Sequence, residues 1–264
     1  MTIFKGYLDG PFGQIHYKTD TRNDGEPLFL FHQMVQSSFQ FEPCLPFFAS
    51  KGIKAIAVDI PGYGMSCGPN KPPSMKNYAS IYENLLDHFG FSKANIGGHH
   101  TGASVAAEAA YSFPDLVLKL ILHGVPYYSE EEMAKKSEPN HKFQGIEEDG
   151  KHFTKVWKKF HNAGNSKTSL KATHNSILSY YIAGEKEWYG HNAVYNHDIW
   201  RAVDGIKCPT LLITNTGDML NPQDHNLSKI RPDFNFFEFS GGSFQFVYDN
   251  PGEWTEIVSN FLND

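Results

Sequence analysis

The residues best suited to chemistry are histidines, thirteen in a chain of 264. Imidazole is the side chain whose unperturbed titration falls near neutral pH, so a positioned histidine takes or gives a proton under ordinary conditions. The segment Gly98-His99-His100-Thr101-Gly102 sets two of them between a strand-like run, Ala94 to Gly97, and an alanine-rich helix-like run, Ala103 to Tyr111. Flanking glycines permit a tight turn between strand and helix. His100 is therefore a candidate general base or acid, or the group that activates a water; the plainer reading is a neutral ring filling its pocket. His32 and His123 end apolar runs on the same predicted sheet edge, so three imidazoles converge there. No carboxylate partners or close ligand spacing such as His-Glu-x-x-His accompany them, so pocket walls are expected and no metal.

Positioning these residues requires a scaffold, and its pattern is regular. Short runs rich in β-branched and aromatic residues read as eight strands: Ile3 to Leu8, Gln14 to Lys18, Pro27 to His32, Ile53 to Asp59, Ala94 to Gly97, Leu118 to His123, Thr210 to Thr214 and Asn235 to Phe239. Amphipathic stretches alternate with them. Tyr78, Ile81, Tyr82, Leu85, Leu86 and Phe89 recur at helical spacing, as do Trp254, Ile257, Val258, Phe261 and Leu262. The alternation predicts an α/β fold with a mostly parallel sheet flanked by helices. Residues 127–201 break it. They are charged, hold six of the histidines, and read as three or four helices: Glu130 to Lys136, Gly150 to His161, Thr168 to Ala183 and His197 to Arg201. The expected division is a core of residues 1–126 and 202–264 with a helical lid at 127–201.

Composition narrows the function. A net charge of −6, from 23 basic against 29 acidic residues, gives no electrostatic reason to bind nucleic acid or anionic lipid. With 40% hydrophobic and 14% aromatic residues, global disorder is excluded. Three widely spaced cysteines, Cys44, Cys67 and Cys208, suit neither a disulfide framework nor a zinc site and point to a reducing compartment. No run approaches a membrane span and the first residues lack a leader's apolar core, so a cytoplasmic protein acting on a small molecule is expected. A homodimer is left open.

Five segments, in order, resemble those of the α/β-hydrolase superfamily. Gly98-His99-His100-Thr101-Gly102 has the layout of its nucleophile elbow, which thrusts the central residue into a pocket above the sheet. Asp59-Ile-Pro-Gly-Tyr-Gly-Met-Ser66 looks like its Asp-x-Pro-Gly-x-Gly-x-Ser loop, and His32-Gln33 stands where the family usually carries His-Gly. Ile206 to Thr214 resembles the strand leading to the catalytic acid, with Asp218 at the acid position. Gly241 to Pro251 resembles the segment of the catalytic histidine.

The same resemblance shows a departure. The elbow centre, normally Ser, Cys or Asp, holds His100, and the histidine position holds Phe244. Only Asp218 remains of a triad, so an acyl-enzyme on serine has no route. Phe244 fills the missing histidine's volume and makes the pocket more apolar. Asp218 either pairs with His100 or caps the following helix. The Thr101 N–H at the helix start, with the Gln33 backbone or side chain, is expected to hold an oxyanion. Lid aromatics such as Trp157, Tyr180 and Trp188 predict an aromatic-walled cavity. The resemblance thus implies either of two proteins. One is a cofactor-independent enzyme using His100 on a small, apolar, oxygen-bearing ester, lactone or ketone-like substrate, as a hydrolase, lyase or isomerase. The other is a degenerate binding or signalling protein of the same fold.

Overall fold

A computed structural model describes residues 2–20, 25–137 and 143–264. His141, one of the six lid histidines, lies outside the described residues. Eight strands form one sheet: β1 (Ile3–Gly10), β2 (Gly13–Asp20), β3 (Glu26–Phe31), β4 (Ile53–Val58), β5 (Ala94–His99), β6 (Val117–His123), β7 (Thr210–Asn215) and β8 (Asn235–Phe239). Their order is β1-β2-β4-β3-β5-β6-β7-β8. β2 runs antiparallel to both its neighbours, and every pairing from β4 onward is parallel.

Twelve α-helices complete the described chain: α1 (Leu45–Ser50), α2 (Met75–Ala79), α3 (Ile81–Phe89), α4 (Thr101–Ser112), α5 (Glu130–Ser137), α6 (Lys151–Ala163), α7 (Leu170–Ala183), α8 (Tyr189–Tyr195), α9 (Ile199–Asp204), α10 (Asn221–Ile230), α11 (Phe246–Asp249) and α12 (Pro251–Asn263). Strand periodicity distributes them over two faces. Phe29, Phe31, Ile56, Val58, Leu120 and Leu122 share one core with α2, α3 and α4, whereas Leu28, Leu30, Ala55, Ala57 and Ile121 pack with α1 and α12. Small side chains let α4 lie close to the sheet, and its residues 101–110 are all buried. No described helix is long and apolar enough to cross a membrane.

All eight expected strands are present, with ends shifted by up to two residues. The stripe from Tyr78 to Phe89 forms two helices, because Ser80 ends α2 and opens α3. Residues 127–201 contain α8, which the sequence hides. Its Tyr-Gly-His-Asn-Ala-Val-Tyr has no side-chain cap and weak helix formers; tertiary contact sustains it, with the Gly190 N–H donating to Tyr63 Oη at 2.7 Å. The last expected helix begins two residues late, at Ile199, where Asp198 caps it by accepting from the Arg201 N–H at 3.0 Å.

Candidate active site

The site forms where β5 turns into α4. His100 has φ 51° and ψ −114°, and it is the one non-glycine with positive φ among the described residues. Backbone in this region costs on the order of 1–3 kcal/mol and persists where its surroundings enforce it. The enforcement is steric and hydrogen-bonded. A Cβ on Gly98 would lie 2.0 Å from Gly102 O, and one on Gly102 would lie 1.9 Å from Phe31 O, so helix, elbow and β3 touch only because both residues lack side chains. The His100 N–H donates to His123 O at 2.9 Å, while its carbonyl accepts from the Ala103 and Ser104 N–H groups.

Beyond the elbow, the His100 ring crosses Gly124 and reaches the loop after β7. Its Nε2 lies 2.8 Å from Asp218 Oδ2, so the partnership with Asp218 is formed. Asp218 Oδ1 accepts from the Leu220 N–H at 2.8 Å. Burial pushes the Asp218 carboxyl up, but the adjacent His100 imidazole and the Leu220 N–H outweigh it and hold the group below the usual carboxylate range. An ionised carboxylate only accepts, so neutral His100 carries its proton on Nε2 and its lone pair on Nδ1. Nδ1 has no partner among the described residues, and the side chain retains 14% of its exposure.

The neighbouring imidazoles are held differently. Trp254 Nε1–H donates to His123 Nδ1 at 3.1 Å. His123 Nε2 must therefore carry the proton, which it donates to Asn215 Oδ1 at 3.1 Å; Asn215 Nδ2 donates to Gly241 O and Ser243 O and so cannot turn around. Burial pushes His123 down to about 4. His32 Nδ1 donates to Gln33 O at 2.8 Å and its Nε2 accepts from the Ile60 N–H at 3.0 Å. Both rings are structural ties, and neither offers a free nitrogen to a ligand, contrary to the expectation that they help to bind substrate.

Gln33 also departs from expectation. Its backbone N–H donates to Gln40 Oε1 at 2.8 Å and its Nε2 to Gln245 Oε1 at 3.2 Å, so the backbone donor and one side-chain donor expected for an oxyanion are committed. Gln40 must then present Nε2 to His99 Nδ1, at 2.5 Å. His99 consequently bears its proton on Nε2, which is fully buried, unpartnered and 4.0 Å from Asp218 Oδ2. Burial and the two neighbouring imidazoles push His99 well below its ordinary value. Thr101, as the first residue of α4, keeps an N–H with no intrahelical acceptor. Phe244 is half-buried between buried Ser243 and Gln245.

His99, His100 and Asp218 are the described residues whose ligand atoms are close enough to hold a metal, all within 4.8 Å. The hydrogen bonds behind them do not suit one. A metal needs the lone pair of His99 Nε2, whereas the Gln33–Gln40–His99 chain fixes a proton there.

Sequence reasoning passed over Gln40, Gln36, Gln245, Gly124 and Trp254. Three glutamines within eight residues, at 33, 36 and 40, directly after an apolar strand were the available signal. Asp59, in the Asp-x-Pro-Gly loop, accepts from the Ser38 and Met65 N–H groups and pairs with His16 at 2.8 Å, which holds that loop to β2 and to the loop after β3.

The fold and elbow define a class. A family model described as the alpha/beta hydrolase fold matches residues 26–151. The chain superposes along its whole length on the crystal structure of E-2-(acetamidomethylene)succinate hydrolase (TM-score 0.80, 18% identity, 100% of both chains). It likewise matches the enol-lactonase from Burkholderia xenovorans (TM-score 0.76, 18% identity, 98% of this chain and all of that one). The chain has the α/β-hydrolase fold. Among its curated relatives, the soluble epoxide hydrolase of Corynebacterium sp. is 33% identical over 109 residues, 41% of this chain and 37% of that protein. The 2-(acetamidomethylene)succinate hydrolase of Mesorhizobium japonicum is 30% identical over 120 residues, 46% and 43% of the two chains. The aligned stretch spans less than half the length of these relatives.

Proposed function

We propose that this chain is a hydrolase of small, partly apolar esters or lactones in which His100 and Asp218 form a catalytic dyad. One observation carries the reading: His100 Nε2 is held by Asp218 at 2.8 Å while Nδ1 is left open at the elbow centre. A degenerate pocket would leave the ring buried and satisfied on both nitrogens, as His123 is. His100 Nδ1 takes a proton from a water as that water attacks the acyl carbon, and Asp218 stabilises the imidazolium that results. The oxyanion is held at the N-terminus of α4 by the Thr101 N–H, and the imidazolium then returns the proton to the departing alkoxide. The reaction needs no cofactor. Helices α5–α9 act as the lid over this edge of the sheet, and hydrolase relatives with similar folds support the assignment.

The test is a panel of p-nitrophenyl esters, lactones and 2-hydroxy ketones run on wild type, His100→Ala and Asp218→Asn. His100→Ala should lower kcat by on the order of 100- to 10,000-fold, the usual contribution of a positioned base. Undiminished turnover in His100→Ala overturns the dyad; turnover of the hydroxy ketones alone replaces hydrolysis with proton abstraction.

A further inference from the structure

Four buried polar side chains from three parts of the fold meet above the sheet. Gln33 and Gln36 stand on the loop after β3, Gln245 on the loop after β8, and Ser176 on α7, and none is more than 3% exposed. The hydrogen bonds fix every orientation. Ser176 Oγ donates to Ala172 O at 2.9 Å, so it can only accept from Gln36 Nε2 at 2.5 Å and Gln245 Nε2 at 3.0 Å. Gln245 Oε1 is thereby turned to Gln33 Nε2 at 3.2 Å and Gln36 Nε2 at 3.3 Å. The donors of both residues face the cluster. Gln33 Oε1 and Gln36 Oε1 have no partner among the described residues, yet neither is among the fully enclosed unpartnered atoms, so both remain reachable by a water-sized molecule.

Topology sets this cluster on the same edge of the sheet as the dyad. In the order β3-β5-β6-β7-β8, a contact between the loops after β3 and β8 must arch over the carboxyl ends of β5, β6 and β7. His100 and Asp218 lie at two of those ends. The Gln33 backbone is also tied through Gln40 to His99, the residue before the elbow centre. Two amide oxygens, buried and without a donor from the described residues, can each take a hydrogen bond from a ligand.

We propose that Gln33 and Gln36, oriented by Gln245 and Ser176, are specificity-determining residues that accept a hydrogen bond from a neutral hydroxyl or N–H group on the substrate. The assignment rests on the His100 reading for its reacting end only. A carboxylate at the same point meets two acceptor oxygens and no cation within the cluster, so the subsite selects against anions. A substrate lacking the donor leaves buried acceptors unmet.

Three non-hydrolysable rings of one shape test this: cyclopentanone, 3-hydroxycyclopentanone and 3-oxocyclopentane-1-carboxylate, titrated into the protein with ligand-observed NMR. The hydroxy ketone should bind roughly 2- to 10-fold tighter than cyclopentanone, the worth of one neutral hydrogen bond, and the carboxylate weakest. Gln36→Met should lower the ratio of hydroxy-ketone to cyclopentanone affinity, the ratio being the readout. His100→Ala should retain the preference, so its survival in a protein that turns over no ester or lactone sinks the base reading alone. Equal affinities in wild type, tightest binding of the carboxylate, no saturable binding of the hydroxy ketone, or a ratio unchanged in Gln36→Met overturns the subsite.

Discussion

Gly124 gives the most direct test of how His100 is held. It sits just after β6 with φ +66°, and a Cβ there would lie 2.4 Å from His100 Cδ2 and 2.8 Å from Nε2. Ordinary contact begins at 3.4 Å, so Gly124→Ala must drive the ring back by about 1 Å, away from the carboxylate it now meets at 2.8 Å. Two costs add. An alanine in left-handed backbone costs about 1–2 kcal/mol, and loosening a hydrogen bond to a buried charged group costs about 1.5–3 kcal/mol. A total of about 2.5–5 kcal/mol lowers the Tm of a chain this size by on the order of 10 °C. Gly52 and Gly90 supply the control, since both have positive φ and a Cβ at either would meet nothing within 4 Å. Alanine at either should bear only the backbone cost, about 1–2 kcal/mol. The assay is calorimetry on the three variants with NMR chemical shifts of the His100 ring at one pH. Gly124→Ala should be clearly less stable than the controls and move the His100 ring resonances. Equal Tm losses with unmoved ring resonances would refute the claim that Gly124 makes room for the imidazole.

Three further outcomes are expected. Because His123 is held down to about 4 in the fold, against 6.5 when unfolded, the unfolded chain binds the extra proton between those values. Stability should fall by up to about 3 kcal/mol from this group as pH drops from 6.5 to 4, with His99 and His32, lowered likewise, steepening the loss. Ring NMR at pH 5.5 should still show His123 neutral with its proton on Nε2; a midpoint near that of free histidine contradicts the Trp254–His123–Asn215 arrangement. Asp224 is fully buried on α10, where burial pushes its carboxyl well above the ordinary range even though it accepts the Val125 N–H at 2.8 Å. A raised carboxyl makes the fold lose stability as pH rises above about 3.9, so the Tm of Asp224→Asn should improve relative to wild type as pH is raised from 4 to 8. A Tm that falls relative to wild type over that range would show that the carboxylate is ionised and needed. Fluorophosphonate probes should leave the protein unlabelled by intact mass, since Ser104 Oγ is enclosed, Ser66 Oγ donates to Asp59 O, and neither they nor Ser243 stands at the elbow centre. Stoichiometric serine labelling defeats the motif alignment.

The sequence by itself determined the sheet. Strands buried on both faces, such as Leu28 to Phe31, must be continuously apolar, and that pattern is visible without coordinates. It also determined the elbow, because Gly98 and Gly102 are the only residue type that fits those contacts, and a glycine pair bracketing a polar residue between strand and helix is a local signature. Three things waited for the tertiary structure. The existence of α8 depends on neighbours far along the chain, such as Tyr63 against Gly190. Whether Asp218 reaches His100 depended on Gly124, a residue with no pattern of its own, leaving room for the ring. The state of each histidine was decided by partners up to 131 positions away, as Trp254 is from His123. A residue type announces that proton chemistry is available; only its hydrogen-bond partners decide which nitrogen carries the proton, and those partners are assembled by the fold.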